Sequence, residues 1–298
     1  MLLLVVAGIA AGIWLLGPRH QHHPRRVAAL TPRPSPTPAA TLATPLPTSA
    51  PTASPSPTAA ATTSAAPAAP ATMNPNGPQL ALIVDDCGQW IDTERGFIAL
   101  DIPLTISVLP DVHYTATIAN EAAAAGKGVM LHLPMETVSG LNPGPGKVTT
   151  EMTDAQIVSQ TQEDLAQVPL AGGVNNHEGS KASADARVMR DVIGVLAKRG
   201  NLFFVDSKTS AASVGEAVAR ARGVPTAARN VFLDNQANEA YTMGQLREAA
   251  AIARRDGSAI AIGHPRPTTL AAVKAMIPEL EASGIRFVLV RDLVSTDP

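Results

Sequence analysis

The sequence predicts an α/β fold: a distorted (β/α) barrel of seven or eight strands over residues 79–298, preceded by a membrane anchor or signal segment with a basic flank (1–26) and a disordered linker (27–78). Three observations predict it. From residue 79 onward, short apolar runs alternate with amphipathic stretches, the pattern of parallel strands joined by right-handed helical crossovers. The apolar runs end on acidic or histidine residues: Asp85-Asp86 after ALIV, His132 after GVML, His177 after GVNN, Asp206 after LFFV and His264 after AIAIG. Such residues at the C-terminal ends of barrel strands are where a barrel enzyme builds its site. No G-x-G-x-x-G follows the first strand, which favours a closed or nearly closed barrel over an open doubly wound sheet.

Taken in order, the strand ending at Asp85 is followed by a helix near 92–100, a strand over 103–110 (PLTISVLP), a helix near 115–126 and the strand running into His132. Further helices are expected near 153–167, 183–199, 211–222, 241–256 and 268–283, with strands near 171–175, 201–205, 229–233, 258–262 and 285–290. Thr153-Asp154 and Ser183 are good N-cap types, and Gly200, Gly223, Gly257 and Gly284 fall where helices should stop.

The first quarter of the chain has another composition. Residues 2–17 (LLLVVAGIAAGIWLLG) carry no charge, and Arg19, Arg25 and Arg26 follow them. The run is short for a spanning helix and long for a signal-peptide core, so anchor and cleaved signal both stay open; no small-residue cleavage motif follows closely, which favours the anchor. Basic residues after the run predict a cytoplasmic C-terminal side, contrary to an envelope location; a start codon assigned too late, which deletes a basic flank, would reconcile the two. Residues 27–78 are almost entirely Ala, Pro, Thr and Ser, with Arg33 their only charge. Such a segment buries too little apolar surface to offset its ordering entropy, and at roughly 3.1 Å per residue it reaches on the order of 160 Å when extended. An anchored, tethered domain suits the cell envelope, in the periplasm or outside the membrane.

A net charge of −2 and 3% aromatic residues exclude a nucleic-acid-binding stripe. The single cysteine, Cys87, rules out an intramolecular disulfide, and with no base paired to it locally it reads as a small core residue. The oligomeric state is not legible.

Hydrolysis of an amide or ester by a metal-held water needs N/O ligands with an open position, a base for the water and an acid for the leaving group. In extended backbone the adjacent Asp85 and Asp86 point opposite ways, so one can hold a metal while the other takes a proton. His132 and His177 are the best imidazole ligands, and His264 is free to act as the acid. Glu136, four residues after His132 and beyond Pro134, reads as a loop residue able to bring a second oxygen. With it, Asn176, Ser180, Asp206 and Ser207 are the candidate substrate-binding residues. Each has a plainer reading: Asn175-Asn176 and Ser180 as a tight turn, Asp206-Ser207 as a helix cap, Asp85-Asp86 likewise. Convergence of so many polar strand ends on one barrel favours the site.

The strings LALIVDDCG, GVMLHLPME, GGVNNHEGS, FFVDSKTS, NVFLDN and AIAIGHP, in this order and spacing, resemble the divergent polysaccharide deacetylase family of bacterial envelope proteins over about residues 79–294. The resemblance implies a relative of the carbohydrate esterases that remove N-acetyl groups from chitin-like and peptidoglycan sugars. It implies Asp85 as base, Asp86 as metal ligand, His132 in the second motif and His264 as acid. Better-known deacetylases have H-x-x-x-H in that motif, where this chain has Glu136, and NNHEGS stands in place of an Arg-x-Pro-Tyr segment. The third ligand is thus His177 or Glu136, with His177 preferred. The expected cofactor is a divalent ion, foremost Zn²⁺, although the same donors serve Mn²⁺, Co²⁺ and Ni²⁺. The expected partners are a glycan substrate and, through the N-terminal segment, a membrane. The competing function is a non-catalytic envelope module that keeps the barrel as a binding surface.

Overall fold

The computed structural model describes residues 77–297. The expected anchor and the linker through residue 76 lie outside the described residues, and among those described no helix is long and apolar enough to cross a membrane. Among the described residues nine strands and seven α-helices follow one another, alternating except at β6-β7: β1 (Gln79–Cys87), α1 (Ile91–Ile98), β2 (Thr105–Val108), α2 (Thr115–Ala124), β3 (Gly128–Met135), α3 (Asp154–Gln167), β4 (Gly173–Glu178), α4 (Ala186–Arg199), β5 (Phe203–Asp206), α5 (Gly215–Ala221), β6 (Thr226–Ala228), β7 (Val231–Phe232), α6 (Glu239–Asp256), β8 (Ser258–Gly263), α7 (Pro267–Ala282) and β9 (Arg286–Val288).

All ladders between these strands are parallel, in the order β6-β5-β4-β3-β2-β1-β8-β7. The ninth strand pairs with the start of β1, at Gln79–Ala81, while β2 pairs with β1 from Ile83 onward. The two ends of the sheet, β6 and β7, are consecutive in sequence but share no ladder, so the barrel curls without closing. That settles the expected closure: the fold is an open, distorted barrel.

Side chains alternate between two cores, as the strand period of two requires. Leu80, Leu82 and Val84 of β1, Leu131 and Leu133 of β3, and Val174 of β4 join the helices in one large core. Ala81, Ile83, Met130, Phe203, Val205, Ile260 and Ile262 form a second core among themselves, inside the barrel. Extending the inward parity gives Asp85, His132, Asn175, His177, Ser207 and His264. The barrel thus changes from apolar to polar towards the C-terminal ends of its strands.

The helix boundaries follow local chemistry. A capping box starts α3, with Thr153 accepting from Gln156 N and the Gln156 side chain reaching back to Thr153 N. Asn238 caps α6, and Gly200 and Gly257 end α4 and α6 in the left-handed conformation that a side chain would strain. Two expectations are corrected. Ser183 is not an N-cap: it lies buried in a 3-10 turn (Ala182–Ala184), and the Asp185 carboxylate caps α4 by accepting from Arg187 N and Val188 N. Strand β6 is unanticipated because PTAAR has Thr226 as its single β-former among a proline and alanines; its backbone is held by pairing with β5.

Helix α3 carries a buried carboxyl. Asp164 of α3 is fully buried under Gly146, whose φ is +74°, and receives a bond from Gln160 Nε2 at 3.0 Å. Burial, with the nearby Asp111 and Glu163 carboxylates and against the Gln160 bond, pushes its pKa up to about 7. Its protonated form is favoured in the fold, so its contribution to stability is full below the ordinary carboxylate value and is lost as pH rises through about 7. Asp164→Asn should therefore flatten the dependence of Tm on pH over this window and stabilise the protein at pH 8 by roughly 2–4 kcal/mol. An unchanged pH dependence in thermal melts of the variant would refute this.

Candidate metal centre

Asp85 continues the inward parity of β1, and Asp86 should point out. It does not, because the register of β1 against β2 shifts between Val84 and Cys87 and Asp86 adopts φ +56°. This bulge turns both carboxylates to the same side, correcting the expectation that they diverge. A left-handed non-glycine residue costs about 1–2 kcal/mol, and Asp is among the types that tolerate it best. The following loop is fixed by Glu94 of α1, whose Oε1 accepts from Gly88 N (2.9 Å), Gln89 N (3.0 Å) and Trp90 N (2.8 Å). The adjacent Cys87 thiol is buried, donates to Val84 O at 3.3 Å and is pushed up in pKa by that burial, which fits a core residue.

Three atoms from three strands then meet. Asp86 Oδ1 lies 2.8 Å from His177 Nδ1 and 3.1 Å from His132 Nε2, and the two imidazole nitrogens are 3.1 Å apart. Asp86 Oδ1 is buried, and despite these distances it accepts no well-aligned hydrogen bond. Burial opposes ionisation of Asp86, but contact with His132 and His177 outweighs it and holds the carboxyl far below the usual range. A tetrahedral zinc with 2.0–2.1 Å bonds has ligand–ligand edges of about 3.3 Å, so this near-equilateral triangle needs only slight expansion to hold one. Among the described residues it is the one group of three or more such side chains close enough together to hold an ion.

Around the triangle stand two groups suited to proton transfer. Asp85 is buried, with Oδ2 3.6 Å from His132 Nε2 and Oδ1 accepting from Asn175 Nδ2 at 2.9 Å. Burial raises its pKa above the ordinary carboxylate value, against the pull of His132, His264 and the Asn175 bond. On the other side, His264 Nε2 lies 3.6 Å from Asp86 Oδ2, and its Nδ1 is 2.9 Å from Asp234 Oδ1. Asp234 is held by its other oxygen, Oδ2, which accepts from His264 N at 2.9 Å and Thr269 Oγ1 at 2.7 Å. Burial lowers the His264 pKa, but the Asp234 bond and the carboxylates of Asp86 and Asp85 more than compensate, so it lies above the ordinary histidine value.

The barrel's open seam is bridged beside this site. Arg229, between β6 and β7, donates from Nε to Ser207 O (2.7 Å) and from Nη2 to Lys208 O (3.0 Å). Its guanidinium lies 5.1 Å from the Phe232 ring centre, and that ring sits 5.2 Å from His264. A cavity of about 290 Å³ opens next to Asp86 and His177, walled by Leu109, Pro110, Val112, Pro134, Pro143 and Pro145. Cavities of about 290 and 420 Å³ around Lys127 lie at the opposite strand ends and hold none of these residues.

Of the residues expected at the site, Asp85, Asp86, His132, His177 and His264 come together. The other five do not join the triangle. Glu136 follows directly on β3, which runs straight through Pro134 to Met135 instead of looping, and its carboxylate is engaged by Lys181 Nζ (2.7 Å) and by Thr150 N and Oγ1 (2.8 and 2.7 Å). Those contacts lower its pKa to about 2 against the opposing effect of burial. Asn175 and Asn176 form strand, not a turn; the buried Asn176 side chain accepts from Ser207 N and donates to Glu178 O and Thr209 Oγ1. Ser180 Oγ accepts from Val138 N, far away in sequence and not within a tight turn, and Asp206 accepts from Lys208 N and Ser213 Oγ in the loop after β5 instead of capping a helix, since α5 begins only at Gly215. Ser207 Oγ accepts from Asn175 Nδ2 at 3.1 Å and so touches the site through Asn175. Asn175, Asp234, Ser107 and Arg229 are site residues that sequence reasoning misses. Strand parity selects the first three: each is an inward position beside outward Val174, Leu233, Ile106 and Val108.

A parallel, open barrel with a partly buried Asp/His/His triangle and an Asp–His pair at its strand ends places the chain among the (β/α) barrel proteins. The sequence pattern of the divergent polysaccharide deacetylases matches residues 82–294, and the chain belongs to that family. It is 34% identical over 202 residues to an uncharacterized protein of Haemophilus influenzae, covering 68% of this chain and 72% of that one. It is 35% identical over 202 residues to the uncharacterized protein YibQ of Escherichia coli, of whose length the match spans 63% against 68% of this chain. A crystal structure of an uncharacterized protein from Agrobacterium tumefaciens is similar at a TM-score of 0.70 and 26% identity, over 74% of this chain and 90% of that one.

Proposed function

We propose that this chain is a metal-dependent hydrolase that removes acetyl groups from an N-acetylated envelope glycan. The observation that carries the reading is the Asp86–His132–His177 triangle flanked by Asp85 on one side and His264 on the other. A binding module has no need of an apposed base and acid, which is why the scaffold reading ranks second. Zinc, when bound by Asp86, His132 and His177, supplies Lewis acidity for an amide carbonyl and its attacking water.

The chain's own residues do the rest. Asp85 takes a proton from the attacking water as general base. His264 carries a proton on Nε2 to the departing amine while Asp234, bonded to Nδ1, orients the ring. The proline-walled cavity beside His177, into which Gln89 and Asn142 also bring amide groups, suits a sugar chain. We place the domain in the cell envelope, held by its N-terminal segment. The test is acetate release from N-acetylglucosamine oligomers and peptidoglycan fragments, with loss on chelation and recovery on adding zinc; activity indifferent to chelation would contradict it.

The protonation of His264 gives a sign to the pH profile. The acid must be protonated, so kcat/KM falls as pH rises through the pKa of His264, which Asp234 and the neighbouring carboxylates hold above the ordinary histidine value. In Asp234→Asn the burial remains and the largest opposing contribution is removed. The basic limb should move to lower pH, and a limb that stays in place would show that His264 is not the acid.

A further inference from the structure

We infer that Asn175 is the positioning residue that sets both halves of this site, its amide oxygen fixing His132 and its amide nitrogen fixing Asp85. The effect of Asn175 on catalysis rests on the deacetylase reading; its effect on the His132 tautomer does not. Asn175 sits in β4 directly opposite His132 of β3 in the sheet register and is fully buried. Its side chain makes four hydrogen bonds. Oδ1 faces His132 Nδ1 at 2.9 Å and accepts from Ser107 Oγ at 2.6 Å; Nδ2 donates to Asp85 Oδ1 at 2.9 Å and to Ser207 Oγ at 3.1 Å.

An amide has two donor hydrogens and two acceptor sites on its oxygen, so every bond this side chain can form is made. The orientation is fixed by its neighbours. The end facing Asp85 must be the donor, because a carboxylate only accepts; the other end is therefore the oxygen. An oxygen facing His132 Nδ1 requires the proton to be on Nδ1, which leaves the lone pair on Nε2, the atom that meets Asp86 and His177. A single buried amide thus selects the imidazole tautomer able to bind a cation and, through the other half of the same group, holds Asp85 in place. Among the described residues no other side chain hydrogen-bonds to both.

The two halves can be separated by substitution. Asn175→Asp keeps an acceptor for His132 Nδ1 but sets a second carboxyl against Asp85, so the two share a proton and Asp85 is no longer a free base; Asn175→Leu, of similar volume, removes both bonds. In long-range ¹H–¹⁵N spectra of the zinc-loaded full-length wild type, His132 should show a protonated Nδ1 whose hydrogen exchanges slowly. Asn175→Asp should keep that signal and bind zinc within a few-fold of wild type while kcat for acetate release falls about 10–100-fold. Asn175→Leu should lose the protected proton and weaken zinc binding by about 10–100-fold, the usual cost of losing an outer-shell partner. A wild-type His132 protonated at Nε2 instead, or an Asn175→Leu protein that binds zinc as wild type does, overturns the inference. The wild-type spectrum decides even if a variant fails to fold. Were the wild type to release no acetate, the functional reading would fail, while the spectra and zinc affinities would still test the tautomer assignment.

Discussion

Asp86→Ala and His177→Ala should each abolish stoichiometric zinc binding, the largest effect the site predicts. The two side chains contribute two corners of a triangle whose edges are 2.8, 3.1 and 3.1 Å, and with one removed only two protein donors remain. Loss of an outer-shell partner already costs about 10–100-fold in metal affinity, so loss of a direct donor should exceed that. Alanine is a poor occupant of Asp86's left-handed backbone, and Asp86→Ala could weaken the fold as well as the site. Asp86→Asn controls for this, because Asn tolerates the same conformation but offers a neutral oxygen. Equilibrium dialysis with metal analysis on all three variants is the check. Full occupancy in His177→Ala together with Asp86→Asn would show that the ion, if any, is held elsewhere.

Asp85→Asn and His264→Ala should each lower kcat about a hundredfold or more while zinc remains bound, because each removes a general acid–base group and neither is a corner of the triangle. The pair should be non-additive, since base and acid serve one reaction. Asp85→Asn has a particular structural consequence. Asp85 Oδ1 accepts from Asn175 Nδ2, and an amide in that place can still accept through its own oxygen, so the Asn175 arrangement survives. The variant therefore isolates loss of the charge. Retained zinc with kcat near that of wild type in both variants would contradict the assignment of base and acid.

Much of this is legible in the residues. The alternation of apolar runs and amphipathic stretches places parallel strands and helices close to where they stand, and the polar strand ends include the five residues that converge. What sequence reasoning misses has physical causes. Regular strands alternate, which makes Asp85 and Asp86 diverge on paper, whereas a bulge with one left-handed residue overrides the alternation. Pro134 suggests a break in the element, yet β3 continues through it to Met135. Asn176 and Asp206 stand out as polar residues at strand ends, but the outward parity of each turns it away from the barrel interior, and both are spent on loop hydrogen bonds. Asn175 and Asp234 attract less notice, although counting in twos from Val174 and Leu233 singles them out. The open seam between β6 and β7 is beyond reach, because β6 carries no distinct pattern and nothing in the β7 segment says which strand it will pair with.

The measurement that bears most directly on the central claim combines metal analysis and acetate release on one sample of the purified protein. The expected result is one divalent ion per chain and acetate release from at least one N-acetylglucosamine oligomer or peptidoglycan fragment, both lost in Asp86→Asn. One bound ion with no acetate from any substrate in the panel would contradict the deacetylase reading and leave the barrel as a metal-bearing envelope scaffold.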